Sequence, residues 1–326
     1  MQNKKIILAG GTGFIGQALA TFWGDANEII ILTREIGEPN NSYRTKTNLA
    51  TTKNIKYVKW NAKDQGHWRK EIDAADLVIN LCGKSVNCRY TKKNKQEIFD
   101  SRTQSTNALG EAIRNATHPP KLWVNAASAT IYRHALDKPQ DEDNGEIGTG
   151  FSVEVCKLWE KTFFDNRTPF TRKISLRMAI VLGAGGVLVP FLNLVKFGLG
   201  GKQGSGKQMF SWIHIQDVIN MMEWLYQQPD MEGVYNCSIP NPISNQELMH
   251  ILQKATNQSF ALPTPTWMLK LGSLVIGTET ELLLKSRWVI PTKILEAGYR
   301  FEYPILKDAI QQIVHHIPKK AYAFCV

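Results

Sequence analysis

An apolar run, a cluster of glycines and an amphipathic run follow one another in KIILAGGTGFIGQALA, residues 5–20, and this order restricts the fold more than any other feature of the chain. Lys5 to Ala9 predicts a buried strand and Phe14 to Trp23 a helix, so the glycines fall on the turn between them. Gly10, Gly13 and Gly16 are spaced Gly-x-x-Gly-x-x-Gly. The early glycines permit a tight turn and close backbone approach, and the last lets helix and strand pack closely. A helix starting there presents unpaired N–H groups and its positive dipole end, which suits a pyrophosphate. The expectation is a dinucleotide-binding α/β fold.

The rest of the first two thirds keeps the same rhythm of strand-like and helical runs, the pattern of a parallel sheet covered on both faces. Strands are expected at Glu28 to Leu32, Ile55 to Trp60, Leu77 to Leu81, Leu122 to Asn125 and Ile174 to Ile180, with helices at Asn94 to Asn115 and Val153 to Phe164. After Gly183 come a helix-like VLVPFLNLVKFGL, a glycine-rich loop and a strand-like FSWIHI. The reading is a Rossmann-type doubly wound parallel sheet over residues 1–240, with residues 184–210 contributing to a substrate cleft. A smaller C-terminal α/β lobe over 241–326 is expected to serve substrate binding or interaction.

The 326 residues are 43% hydrophobic, enough for a full core. The start lacks the apolar core and cleavage site of a signal peptide, and no stretch is long and apolar enough to span a membrane. Cytoplasmic residence is the expectation. The five cysteines, Cys82, Cys88, Cys156, Cys237 and Cys325, are scattered without a Cys-x-x-Cys pair, which argues for free thiols and against a metal site. The formal charge of +10 is spread along the chain without a nucleic-acid-binding signature, so it points to an anionic small ligand.

The second strand ends in ILTRE, where an acidic residue would bond both adenosine ribose hydroxyls. Thr33 and Arg34 stand there instead; the guanidinium fork suits a 2′-phosphate, so NADP(H) is expected over NAD(H), the alternative being an exposed charge at a strand end. Gly83, after Asn80, Leu81 and Cys82, is expected to let the backbone pass close to a ligand. Asp64 has two readings, an adenine contact and a turn cap.

These stretches resemble the extended short-chain dehydrogenase/reductase family, which includes nucleotide-sugar epimerases. GGTGFIG, NLCG, Ser128-Ala129-Thr130-Ile131-Tyr132 and LRMAIVLG carry the likeness. FGLGGKQGSGKQMFSWIHIQD, VCKLWE and VIPTKILEAGYRFEYP are closer to an epimerase-like NADP-binding branch with a distinctive C-terminal domain. The resemblance implies that Gly10, Thr12, Gly13, Phe14, Ile15 and Gly16 hold the pyrophosphate and that Thr33 and Arg34 hold the 2′-phosphate. It places Leu81 and Cys82 along the path to the nicotinamide, Glu97 and Arg102 against the cofactor from the long helix, and Ser128 as the catalytic serine.

The family helix reads Tyr-x-x-x-Lys-x-x-x-Glu. Aligned on Glu160, this chain has Ser152 at the tyrosine position and Cys156 at the lysine position. Cys156 is read either as an acid or, with more support, as a small buried side chain. Tyr132 and Tyr90 are candidates to donate the proton or to line the site. Arg177, Lys207 and His214 are expected along the substrate cleft, beside Lys202. His214 and Asp217 also invite a triad with Ser128, against the reading that their segment closes the sheet. Gly201 to Lys207 satisfies Gly-x-x-x-x-Gly-Lys, but Gln208 follows where a magnesium-binding hydroxyl belongs, which excludes ATP hydrolysis. The functional expectation is an NADP(H)-dependent oxidoreductase or epimerase-like enzyme, monomeric or homodimeric, acting on a sugar nucleotide or carbonyl compound. The alternatives are an NADP(H)-sensing or scaffold protein without turnover and a nucleotide-sugar epimerase or dehydratase.

Overall fold

The computed structural model describes residues 1–36, 54–269 and 284–318. Cys325 and part of the expected second lobe lie outside the described residues. In chain order the elements are β1 (Lys5–Ala9), α1 (Phe14–Trp23), β2 (Glu28–Thr33), β3 (Ile55–Lys59), β4 (Leu77–Asn80), α2 (Lys92–Arg114), β5 (Leu122–Ser128), α3 (Phe151–Asp165) and β6 (Arg172–Met178). There follow β7 (Ile180–Gly183), β8 (Gly185–Gly186), α4 (Leu188–Lys196), β9 (Met209–Phe210), β10 (Trp212–His214), α5 (Ile215–Gln227), β11 (Gly233–Cys237), β12 (Ile243–Ser244), α6 (Asn245–Ala255), α7 (Thr292–Glu296) and α8 (Leu306–His316).

Seven strands form one sheet in the order β11-β6-β5-β4-β1-β2-β3, and all its pairings are parallel. This is the expected doubly wound arrangement. Strands β1 and β4 sit between two others and read as continuous apolar runs because both their faces are covered. The two-residue period sorts their side chains: Ile6 and Leu8 join the core under α1 and α5, while Ile7 and Ala9 join the core under α2 and α3. At the edge, β3 keeps Lys56 and Lys59 exposed, and charge there discourages pairing with another chain. Strand order reverses between β1 and β4, and the crevice beyond the carboxyl ends at such a switch point is where ligands bind.

The structure departs from the sequence expectation at four places. The run expected at Ile174 to Ile180 is split: β6 stays in the main sheet, whereas β7 pairs with β10 and β8. The break falls at Ala179, whose N–H turns to the Cys237 carbonyl. The seventh strand, β11, and the helix α5 were not anticipated. The signal for α5 was present, since Val218, Met221, Met222 and Leu225 are all buried at helical spacing. Finally, among the described residues beyond 240, the buried side chains of α6 and α8 share the core of the sheet. Leu248, Leu252, Ile310 and Ile313 belong to the same cluster as Ile6 and Leu19. The Asp217 carboxylate fixes this docking by accepting the Glu302 and Tyr303 N–H groups at 2.7 and 2.9 Å.

Candidate functional site

The turn after β1 is built by close backbone contact. Gly10 has φ +76, and a Cβ on it would lie 3.0 Å from the Leu81 carbonyl carbon; one on Gly16 would lie 2.4 Å from Gly11 Cα. The turn is thus pressed against the end of β4 while α1 packs onto the turn. Gly13 is the N-cap of α1 and no side chain caps the helix. Its first-turn N–H groups therefore have no partner from the cap and face the crevice end of the sheet. Phe14 is a partial correction: a Cβ on Gly183 would lie 2.7 Å from its ring, so the side chain is covered by the β7–β8 turn and only its backbone remains to meet an anion.

On either side of this turn stand the ends of β2 and β4. The Thr33 hydroxyl donates to the Glu35 carbonyl at 3.0 Å, which shapes the turn that presents exposed Arg34. Burial pushes the Cys82 thiol up to about 12, and the charge of Arg34 acts on it in the opposite direction, so Arg34 and Cys82 look across the end of β1. Below them, Asn80 donates to Thr106 and to Asn125 at 3.0 and 2.7 Å and accepts the Cys82 N–H. That buried network locks the ends of β4 and β5 side by side. Asp64 lies in a turn, its N–H and carboxylate both bonded to Asn61.

The second half of the crevice is assembled from distant segments. Ser128 ends β5, and its Oγ accepts the Thr130 N–H at 3.2 Å, which leaves its own proton to be donated elsewhere. Ser152, Cys156, Trp159 and Glu160 share the buried face of α3. Cys156 adjoins Ser128: burial, then Glu160, raise its thiol to about 11, while Arg102, Lys285 and a hydrogen bond from Ser128 act to lower it. Tyr90 brings its hydroxyl to 3.4 Å from Ser152 Oγ. Arg102 bonds the Lys84 and Ile98 carbonyls at 3.1 Å each and lies over the Trp159 ring at 4.9 Å. From the far end of the chain, Lys285 donates to the Thr130 carbonyl at 2.9 Å and Arg287 to the Thr130 hydroxyl at 3.4 Å. The turn carrying Ser128 is therefore gripped by a segment more than a hundred residues away. Trp159 Nε1 and Arg89 Nη2 are buried donors without a hydrogen-bond partner among the described residues.

Several expected site residues lie elsewhere. Tyr132 is 2% exposed, its hydroxyl bonded to Asn236 and Arg177, and burial raises its pKa; it is a core residue and not an available proton donor. Arg177 does not line a cleft: its guanidinium forms a two-point ion pair with Glu160 at 2.7 and 2.8 Å, which ties α3 to β6. His214 caps α5 through Nδ1 and meets Gln312 through Nε2, so it closes the fold onto α8. Lys207 is exposed on a loop whose contacts run to Asn245, Gln246 and Thr264. The space above Gly83 holds the Arg102 guanidinium, 3.0 Å from where a Cβ would be, so this glycine makes room for a side chain. Glu97 is partly exposed and paired with Lys84. Sequence reading missed Lys285, Arg287 and Trp159. No local pattern marks the first two, because their partners are far away in the chain.

Among the described residues no cluster fit to hold a metal is present, and no helix is long and apolar enough to cross a membrane. Residues 6–238 match the NAD dependent epimerase/dehydratase family, and residues 264–313 match a domain of unknown function, DUF1731. The epimerase family protein SSP1921 of Staphylococcus saprophyticus is 34% identical over 96% of this chain and 100% of its own length. A crystal structure of the human epimerase family protein SDR39U1 with NADPH has a TM-score of 0.80 at 27% identity, covering 95% of this chain and 99% of that one. A UDP-N-acetylglucosamine 4-epimerase from Methanobrevibacter ruminantium shares the fold, with a TM-score of 0.74 at 14% identity over 97% and 98% of the two chains. Since the match over residues 6–238 spans more than half of its length, the chain belongs to the NAD dependent epimerase/dehydratase family.

Proposed function

We propose that this chain is an NADP(H)-dependent oxidoreductase of the epimerase-like type, with residues 1–240 holding the cofactor and 241–326 completing the substrate side. The observation that carries the reading is the convergence, at the carboxyl ends of the sheet strands, of an uncapped glycine helix start and a serine hydroxyl that accepts within its own turn and keeps its proton for a partner outside it. The residues fit the cofactor. Backbone N–H groups of Thr12 to Gly16 would take the pyrophosphate and Arg34 the 2′-phosphate, and Leu81 and Cys82 would line the path from adenosine to nicotinamide. The bound dinucleotide supplies or accepts a hydride. Ser128 polarises a carbonyl or alcohol oxygen by donating its hydroxyl proton in a hydrogen bond. The substrate is a carbonyl compound, an alcohol or a sugar nucleotide.

NADPH fluorescence on titration with protein tests the binding, and NADH binding as tightly as NADPH would remove Arg34 from its role. A panel of carbonyls and sugar nucleotides followed through NADPH absorbance tests the chemistry. Ser128→Ala is expected to lower turnover about a hundredfold or more.

A second reading, an NADP(H)-sensing protein without turnover, draws on α3. Ser152 and Cys156 stand where the family resemblance puts a phenol and an ammonium, and the buried thiol supplies no positive charge. Turnover that Ser128→Ala abolishes would eliminate this reading.

A further inference from the structure

Reduction of a carbonyl by hydride leaves an oxygen that must gain a proton, and the groups so far placed around Ser128 supply it poorly. Cys156 is 4% exposed and its thiol is held near 11, and Tyr132 is locked in the core. An effective acid works best with a pKa near the working pH and within hydrogen-bond reach of its target.

One phenol remains at this wall. Tyr90 sits in the segment between β4 and α2, which is fixed just beyond it: Thr91 caps α2 by accepting the Asn94 N–H, and the Asn94 amide donates to the Arg89 carbonyl at 2.7 Å. The Tyr90 ring meets Phe151 edge-on at 4.7 Å. Its hydroxyl stops 3.4 Å from Ser152 Oγ, one helical turn ahead of the Cys156 that adjoins Ser128. Phenol and serine hydroxyl thus flank the same stretch of α3. Behind them, Arg102 is held by two carbonyls, the Trp159 ring and the space over Gly83. Its charge acts on both Tyr90 and Cys156. Further charged groups on this side are Arg89, next to Tyr90 in the chain, and Lys95 of α2, which lies 5.0 Å over the Phe151 ring.

We propose that Tyr90 is the proton donor of the reaction and that Arg102 is the positioning cation that stabilises the phenolate it leaves. The inference rests on the hydride-transfer reading above. As hydride from NADPH forms the new C–H bond, the C=O π pair moves to oxygen, which takes the Tyr90 proton; the O–H bond pair stays on the phenolate, and water restores the proton. In the oxidative direction the phenolate takes the proton of the alcohol. A guanidinium suits this task because it stays charged at any working pH.

The test uses the full chain with NADP⁺ and NADPH as probes. Ultraviolet difference spectra follow tyrosine ionisation with pH, and fluorescence and ultrafiltration follow cofactor binding in the same samples. The expected result is one phenol that ionises at lower pH with NADP⁺ than with NADPH, because the oxidised ring is positive. Tyr90→Phe should delete that component and leave binding intact. Arg102→Met should move it upward by about one unit or more without deleting it. Binding of both cofactors with no such component, or a component that survives Tyr90→Phe, overturns the proposal and leaves the cofactor reading standing. Failure to bind either cofactor overturns both.

Discussion

The glycine turn after β1 draws its contacts from residues 8–17 and the adjoining strand ends, whereas the cluster around Ser128 takes side chains from the β4–α2 segment, α2, α3 and residues 285–287. The first is a backbone device. Its function needs only N–H groups and the absence of Cβ atoms, so a short stretch of chain completes it. The second is a side-chain device, and its parts meet only because the sheet, α3 and the docked C-terminal segment are in place. Cofactor binding should therefore tolerate damage to tertiary packing that the reaction end does not.

The sharpest test of that contrast is Glu160→Ala, which leaves the Arg177 guanidinium buried without its partner. Urea unfolding should show a loss of about 3–5 kcal/mol, and the folded fraction should still bind NADPH. A loss below about 1 kcal/mol would remove the ion pair from its role in holding α3. Next comes the link between α5 and α8. Burial lowers His214 from its ordinary 6.5 to about 4, so the unfolded chain binds the extra proton between those values. Stability from this group is full above pH 6.5 and should fall by roughly 3 kcal/mol as pH drops toward 4, a slope that His214→Gln flattens. Denaturation midpoints across that range check it.

At the cofactor end, Arg34→Ala should cost about 1.5–3 kcal/mol of NADPH affinity and little of NADH affinity, measured by paired titrations. Equal losses for the two cofactors would take the 2′-phosphate away from Arg34. The smallest effect is expected for Lys285→Met. Removing its bond to the Thr130 carbonyl should cost about 0.5–1.5 kcal/mol in stability and leave NADPH binding unchanged. A drop in NADPH affinity as large as that of Arg34→Ala would erase the distinction between the two ends.

The main-sheet strands other than β11, together with α1, α2 and α3, were legible because each is marked by its own apolar period. β11 was not, since GVYNC is short and its place beside β6 is set by pairing. Among candidate site residues, glycine spacing marked Gly10 to Gly16 as a tight turn between strand and helix, and the family resemblance, not spacing, singled out Ser128. Arg177 and His214 misled because a polar side chain near a strand end reads the same whether it faces a crevice or an interior partner; only Glu160 and Gln312 decide between them. Gly83 misled for a related reason: a missing Cβ makes room for a ligand or for Arg102 alike.

The amino-acid order by itself determined the layered sheet and the glycine turn at the helix start, because periodicity and glycine spacing act over a few residues. Only the tertiary structure decided which phenol stands beside Ser152 and which cations stand by α3 and the turn after Ser128. Tyr90, Arg102 and Lys285 are scattered through the chain, and they reach Ser152, the Trp159 ring and the Thr130 carbonyl only after burial of the shared core has brought their elements together.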